Sequence, residues 1–183
     1  MRNFVLGIIV TVLALIFVVL WYTRTGRVDF RADQAPSAVE RWFAGGASDA
    51  YVDHNAPNVK NPVPATEQNV VAGAQLYLNH CAGCHGTPSS PSTQFMHSFN
   101  PPVPAFFVSP PEMPDNQNFY IIQHGIRFTG MPAWNKTLTS QQIWQIATFL
   151  AAIPNLPPAA KKTLEPSPGT VPGSLPAATK SGS

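Results

Sequence analysis

The chain has two cysteines, and they stand with a histidine in Cys81-Ala82-Gly83-Cys84-His85. C-x-x-C-H is the spacing at which two thiols reach the two vinyl groups of one haem and form thioethers, with the adjacent imidazole under the iron as an axial ligand. Three other uses of these residues fit less well. A dithiol redox pair wants a βαβ context, which the sequence pattern lacks. A structural zinc needs four nitrogen or sulfur ligands. Cys84 and His85 are adjacent, and a further histidine would have to complete the set. A disulfide would join residues only three positions apart. Covalent haem uses all three side chains at once, and one motif implies one haem c.

The opposite axial position has several candidates. Met131, between Gly130 and Pro132 in Thr129-Gly130-Met131-Pro132-Ala133-Trp134, lies in loop punctuation that can present one side chain from a fixed backbone. His/Met is a recurrent haem ligand pair. Methionine is by default an adaptable core filler, and Met96 and Met113 also lie in loops. His54, His80, His97 and His124 remain alternatives, as does an open sixth position. Arg127 is a candidate partner for a haem propionate, because guanidinium matches carboxylate bidentately; a solvated surface arginine is the plainer reading. A backbone carbonyl near Pro101 or Pro102 is expected to accept the His85 Nδ1–H and orient the ring.

Helices are expected to position these residues. Thr66 reads as an N-cap with Glu67 in the first turn. Val70, Gly73, Ala74, Tyr77 and Cys81 then form one apolar face that ends at the C-x-x-C-H stretch. His97–Pro114 carries six prolines and reads as loop. A second helix is expected from Asp115 as N-cap to His124, closed by Gly125. The last begins at Thr139 with the capping box Thr139-x-x-Gln142, buries Ile143, Trp144, Ile146, Ala147 and Leu150, and is stopped by Pro154.

Outside this core of about 66–154 the chain changes character. Phe4–Tyr22 is 19 residues without a charge. As a helix it would span about 28 Å, close to a hydrocarbon core of ~30 Å. Trp21 and Tyr22 stand where an aromatic belt would. The run is longer than a signal-peptide core and has no small-residue cleavage site, so 1–23 reads as an uncleaved anchor. Residues 24–65 read as a spacer. In it Pro36-Ser37-Ala38-Val39-Glu40-Arg41-Trp42-Phe43 suits a short amphipathic helix with Pro in its first turn, interrupted by Gly45-Gly46. Trp42 and Phe43 suit the membrane surface, packing on the core, or a partly ordered linker. As a flexible chain the spacer would have an r.m.s. span of about 35 Å. Residues 155–183 hold few large apolar side chains and are expected to be disordered. Charged residues are 11% of the chain and the net charge is +2, a balance that gives no electrostatic footprint for nucleic acid.

On these residues the chain resembles a class I cytochrome c. The matching features are Gly73-x-x-x-Tyr77, Cys81-Ala-Gly-Cys84-His85-Gly86, Asn100-Pro-Pro-Val-Pro104, Gly130-Met131-Pro132-Ala133 and the aromatic last helix, over about 66–154. The core is similar to haem domains of bacterial respiratory-chain and oxidase-associated cytochromes. The resemblance implies an all-α fold wrapped around one covalent haem, with its first and last helices crossing where Gly73 and Tyr77 meet Trp144 or Phe149. It implies single-electron transfer through a His85/Met131-ligated iron, with no small-molecule substrate and no enzymatic turnover in this chain. Redox partner proteins of a respiratory chain are expected. It also implies a single-pass protein of the cytoplasmic membrane with the haem domain outside. Arg24, Arg27 and Arg31 after the span favour the opposite orientation by charge alone; haem attachment on the outer face overrides them. Two other functions remain: a haem sensor with a labile distal site, and the haem subunit of a membrane dehydrogenase.

Overall fold

The charge-free run lies within one helix, α1 (Arg2–Arg24), of 23 residues. Its mean hydropathy reaches 3.1, and none of its residues is buried. Thr11 Oγ1 donates to the Gly7 carbonyl at 2.9 Å, which pairs the hydroxyl inside the helix. By length and composition α1 can cross a membrane. It belongs to a unit of its own, Met1–Ala32, and a second unit starts at Asp33. The structure, a computed structural model, describes residues 1–93 and 95–165.

The second unit is helical, with no strand among the described residues. Its helices are α2 (Ala38–Glu40), α3 (Gly46–Asn55), α4 (Glu67–His80), α5 (Ala82–His85), α6 (Asp115–His124), α7 (Ser140–Ala152) and α8 (Pro158–Thr163). Thr66 caps α4 by accepting from the Asn69 N–H, and Thr139 and Gln142 form a reciprocal capping box on α7, both at the positions expected. These caps satisfy N–H groups that the first turn of a helix leaves without partners. The core forms where α4 crosses α7. A Cβ on Gly73 would fall on the Gln145 carbonyl oxygen and 2.7 Å from Phe149 Cβ, so only glycine permits the crossing. Tyr77 and Phe149, both buried, meet with ring centroids 5.0 Å apart. On the other side of α7, Trp144 stacks on Phe119 of α6 at 4.0 Å. Burying each such side chain contributes roughly 1.5–3 kcal/mol.

Four details differ from the sequence expectation. Pro36 precedes the cap: Ser37 and Glu40 make a capping box. Gly45-Gly46 does not interrupt the helix; both hold helical dihedrals, and a π-helical turn at Arg41–Gly45 joins α2 to α3. Asp115 is the first residue of α6 rather than its cap, because its carboxylate accepts from Asn61 Nδ2 at 2.8 Å instead. Residues 155–165 are ordered: a 3-10 turn at Ile153–Asn155 leads into α8, and Leu156, Ala160 and Leu164 are buried in the core cluster. Three apolar residues at spacing four find an existing cleft, which offsets an ordering cost they could not meet alone. The rest of the expected disordered tail, 166–183, lies outside the described residues.

Much of the expected spacer is also held. Val52 is buried, Gln117 Nε2 donates to Asp53 Oδ1 at 2.7 Å, and Asn116 Nδ2 donates to the Pro57 carbonyl at 3.0 Å. Asn61 Nδ2 also reaches Thr148 Oγ1, a buried hydroxyl of α7, at 2.8 Å. These bonds fix α3 and the proline-containing stretch after it onto α6 and α7. The free length of chain is therefore much shorter than a 42-residue random coil would suggest.

Candidate functional site

Cys81 is the last residue held by α4, its N–H bonded to the Tyr77 carbonyl at 2.8 Å. Its own carbonyl accepts from Cys84 N–H at 3.0 Å and His85 N–H at 2.9 Å, which closes the single turn α5. Gly86 follows with φ +82°, and a Cβ there would meet the Ser90 and Pro91 carbonyl oxygens at 2.8 Å. This turn exists because α4 delivers Cys81 in register and Gly86 lets the chain leave. Tyr77 ties the two ends together: its buried hydroxyl donates to the Gly86 carbonyl at 2.8 Å. Tyr77→Phe would leave that carbonyl without its partner and is expected to cost about 1–3 kcal/mol. The change should show as a lower urea midpoint with an unchanged slope.

The two thiols are not joined to each other. Burial, and secondarily Cys84, pushes the Cys81 thiol up to about 12. His85 Nδ1 lies 2.9 Å from the Pro104 carbonyl. A carbonyl can only accept, so Nδ1 carries the proton and Nε2 keeps the ring's available lone pair. Burial lowers the His85 pKa, against the opposing pull of that bond. The imidazole also stacks on Phe106 at 4.2 Å, with the planes 4° apart. Its orientation is therefore set twice, by a hydrogen bond and by a ring. The accepting carbonyl is that of Pro104, further along the proline loop than Pro101 or Pro102.

Cys81, His85 and Met131 line one cavity of about 700 Å³. Ile122 of α6 and Ile146 and Leu150 of α7 form apolar wall, and the Pro104–Pro114 segment closes another side. Asn118 holds that segment by donating from Nδ2 to the Met113 carbonyl at 2.9 Å. Cavities of roughly 300–1,000 Å³ with mostly apolar walls suit a ligand of cofactor size. Haem c fits this donor set: the Cys81 thiol on the wall, Cys84 three positions on though not itself in the lining, a preoriented imidazole nitrogen, a thioether sulfur and an apolar wall. Zinc does not, since no group of three or more His, Cys, Asp or Glu side chains among the described residues is placed to hold a metal ion.

The other sequence candidates are placed as follows. Met96 is only 2% exposed and accepts from the Thr93 N–H through sulfur; it does not line the cavity. Met113 does line it, and is 42% exposed. None of His54, His80, His97 and His124 lines it; His80 packs edge-on to Trp134 and His124 against Tyr120. Arg127 is exposed, on the loop that carries Met131, and is not part of the cavity wall. Next to it, Phe128 has φ +61° and is 93% exposed. A left-handed conformation costs an L residue about 1–2 kcal/mol, and glycine adds back roughly 0.5–1 kcal/mol of chain entropy. Phe128→Gly should therefore raise the thermal midpoint slightly, since no packing is lost.

A four-helix core, a C-x-x-C-H turn and a methionine-bearing loop around one apolar cavity define a c-type cytochrome domain. Residues 68–150 belong to that class as a class I-like domain, and match the family model described as cytochrome C oxidase, cbb3-type, subunit III. A domain of this class carries covalently bound haem c and serves haem-based electron transfer, and its two cysteines are present here. No curated protein matches the chain. Among solved structures, the chain is similar to one from the reducing HAO-like protein complex of Kuenenia stuttgartiensis, at 19% identity and a TM-score of 0.42. That match covers 53% of this chain, which spans half the length of the other.

Proposed function

We propose that the protein is a membrane-anchored, mono-haem electron carrier of a respiratory chain. Cys81 and Cys84 would hold one haem c through thioethers, and His85 Nε2 and Met131 Sδ would ligate its iron. Arg127, on the exposed loop before Met131, would pair with a propionate through its guanidinium. The observation that carries this reading is that His85, oriented by Pro104 and Phe106, lines the same apolar cavity as Cys81 and Met131. When bound, the haem supplies the one-electron couple. The chain's residues would seat it in an apolar cavity and favour the less charged ferrous state through methionine sulfur and apolar walls.

Helix α1 supports single-pass anchoring in the cytoplasmic membrane, with the haem domain on the outer side where haem attachment takes place. The description of the matching family, an oxidase subunit, supports a redox partner that is itself a membrane respiratory complex. Turnover would then reside in another chain. Full-length protein extracted from membranes tests this. One haem c per chain by pyridine haemochrome, a ferric methionine–iron charge-transfer band and no carbon monoxide binding to the reduced form are expected. Rapid stoichiometric carbon monoxide binding would overturn the His/Met assignment in favour of a sensor. Absence of covalent haem would overturn the whole reading.

A further inference from the structure

The helical stretch from Ala38 to Asn55 is fixed at one end and unpartnered at the other. Its C-terminal half is held on α6 by buried Val52 and by Asp53, which accepts from Gln117. In its N-terminal half Val39, Trp42 and Phe43 are 73%, 77% and 68% exposed. These three stand at i, i+3 and i+4, within about one turn of one another, Val39 in α2 and Trp42 and Phe43 in the π-helical turn that follows it. At Gly45 and Gly46, an added Cβ would meet no atom within 4 Å. A capped helix thus presents three large apolar side chains that the described residues leave mostly exposed.

We propose that this patch is an interfacial membrane anchor, with Val39, Trp42 and Phe43 seated at the lipid–water boundary of the bilayer that α1 spans. The proposal rests on the reading of α1 as a membrane span. The covalent chain selects lipid as the occupant. From Arg24 to Ala38 even a fully extended backbone covers at most about 50 Å, so the patch cannot leave the neighbourhood of the bilayer. Tethering replaces bulk binding by a high effective concentration, so three apolar side chains suffice where a free helix would bind weakly. Tryptophan is a residue type that membrane interfaces favour. The consequence for function is geometric: the haem domain is held at the bilayer through α3 as well as through its tether. That favours exchange with membrane-embedded partners over reach to distant soluble ones.

Photocrosslinking of the full-length holoprotein tests this, in proteoliposomes of phosphatidylethanolamine and phosphatidylglycerol and in cell membranes. Benzoylphenylalanine replaces Trp42, Trp21 or Tyr51 in separate samples. Each site is at the surface, so folding is preserved, and holoprotein absorbance verifies it. Adducts carrying the mass of one phospholipid are expected at positions 42 and 21 and not at 51. Lipid adducts at 21 without any at 42 would overturn the proposal and leave the span intact. Their absence at both positions would overturn the span itself, and the proposal with it. A polypeptide adduct at 42 in cell membranes, with no lipid adduct there, would assign the patch to a protein partner and overturn the lipid assignment.

Discussion

Gly73→Ala is expected to destabilise the haem domain by about 3 kcal/mol or more, at the upper end of what overpacking a core costs. Helix propensity alone predicts the opposite sign, since alanine is favoured over glycine in a helix interior by about 1 kcal/mol. Geometry decides between them. The added methyl would lie on the Gln145 carbonyl oxygen and 2.7 Å from Phe149 Cβ. Neither atom is the far end of a flexible side chain, so α7 must retreat as a body. Retreat opens the contact between Tyr77 and Phe149 and the layer beneath it, including Ile143 and Ile146. Against a total stability of 5–15 kcal/mol typical of domains, that loss is large. Urea unfolding of the holoprotein reads it directly. A neutral or stabilised variant would show that the two helices lie further apart than described.

What the sequence made legible were features that act locally. The C-x-x-C-H turn, the Thr66 and Thr139 caps and the glycine closing α6 each involve residues within a few positions of one another, and each forms where expected. What it hid depends on burial supplied from elsewhere. Leu156, Ala160 and Leu164 look too few to order a segment, yet α4 and α7 already present an apolar surface to them. Their spacing of four, with Pro158 at the first helical position, was the available signal. The Ser37–Glu40 capping box was likewise legible in the S-x-x-E pattern, while the paired glycines drew the reading toward a break. The wall of the site was the least legible part. Pro104 and Phe106 act on His85 from about twenty residues away, and no periodicity in a proline-rich loop encodes which carbonyl will arrive.

Met131→Ala and Met113→Ala should separate cleanly, although both methionines line the cavity. The Met131 backbone is held by the loop's own hydrogen bonds. Its carbonyl accepts from the Ile126 N–H at 3.1 Å, and its N–H donates to Thr129 Oγ1 at 3.1 Å. Thr129 Oγ1 in turn donates to the Ile126 carbonyl at 2.8 Å. Gly125, at φ +66°, leaves no room for a side chain beside the Met131 and Pro132 backbone. Three residues on, the Trp134 N–H returns to the Ile122 carbonyl of α6 at 3.1 Å. Such a loop presents one side chain from a fixed frame, which is what a ligand that must stay bound in both oxidation states requires. Met113 sits on the proline wall, where Asn118 donates to its carbonyl, and is 42% exposed. Met131→Ala is therefore expected to lose the ferric charge-transfer band, to bind carbon monoxide when reduced and to lower the midpoint potential. A fall on the order of a few tenths of a volt is expected, within the roughly 0.8 V range that axial ligands command. Met113→Ala should keep the band and shift the potential little. Loss of the band in Met113→Ala alone would transfer the ligand to the proline wall, and the bonded frame around Met131 would then serve only to close the cavity.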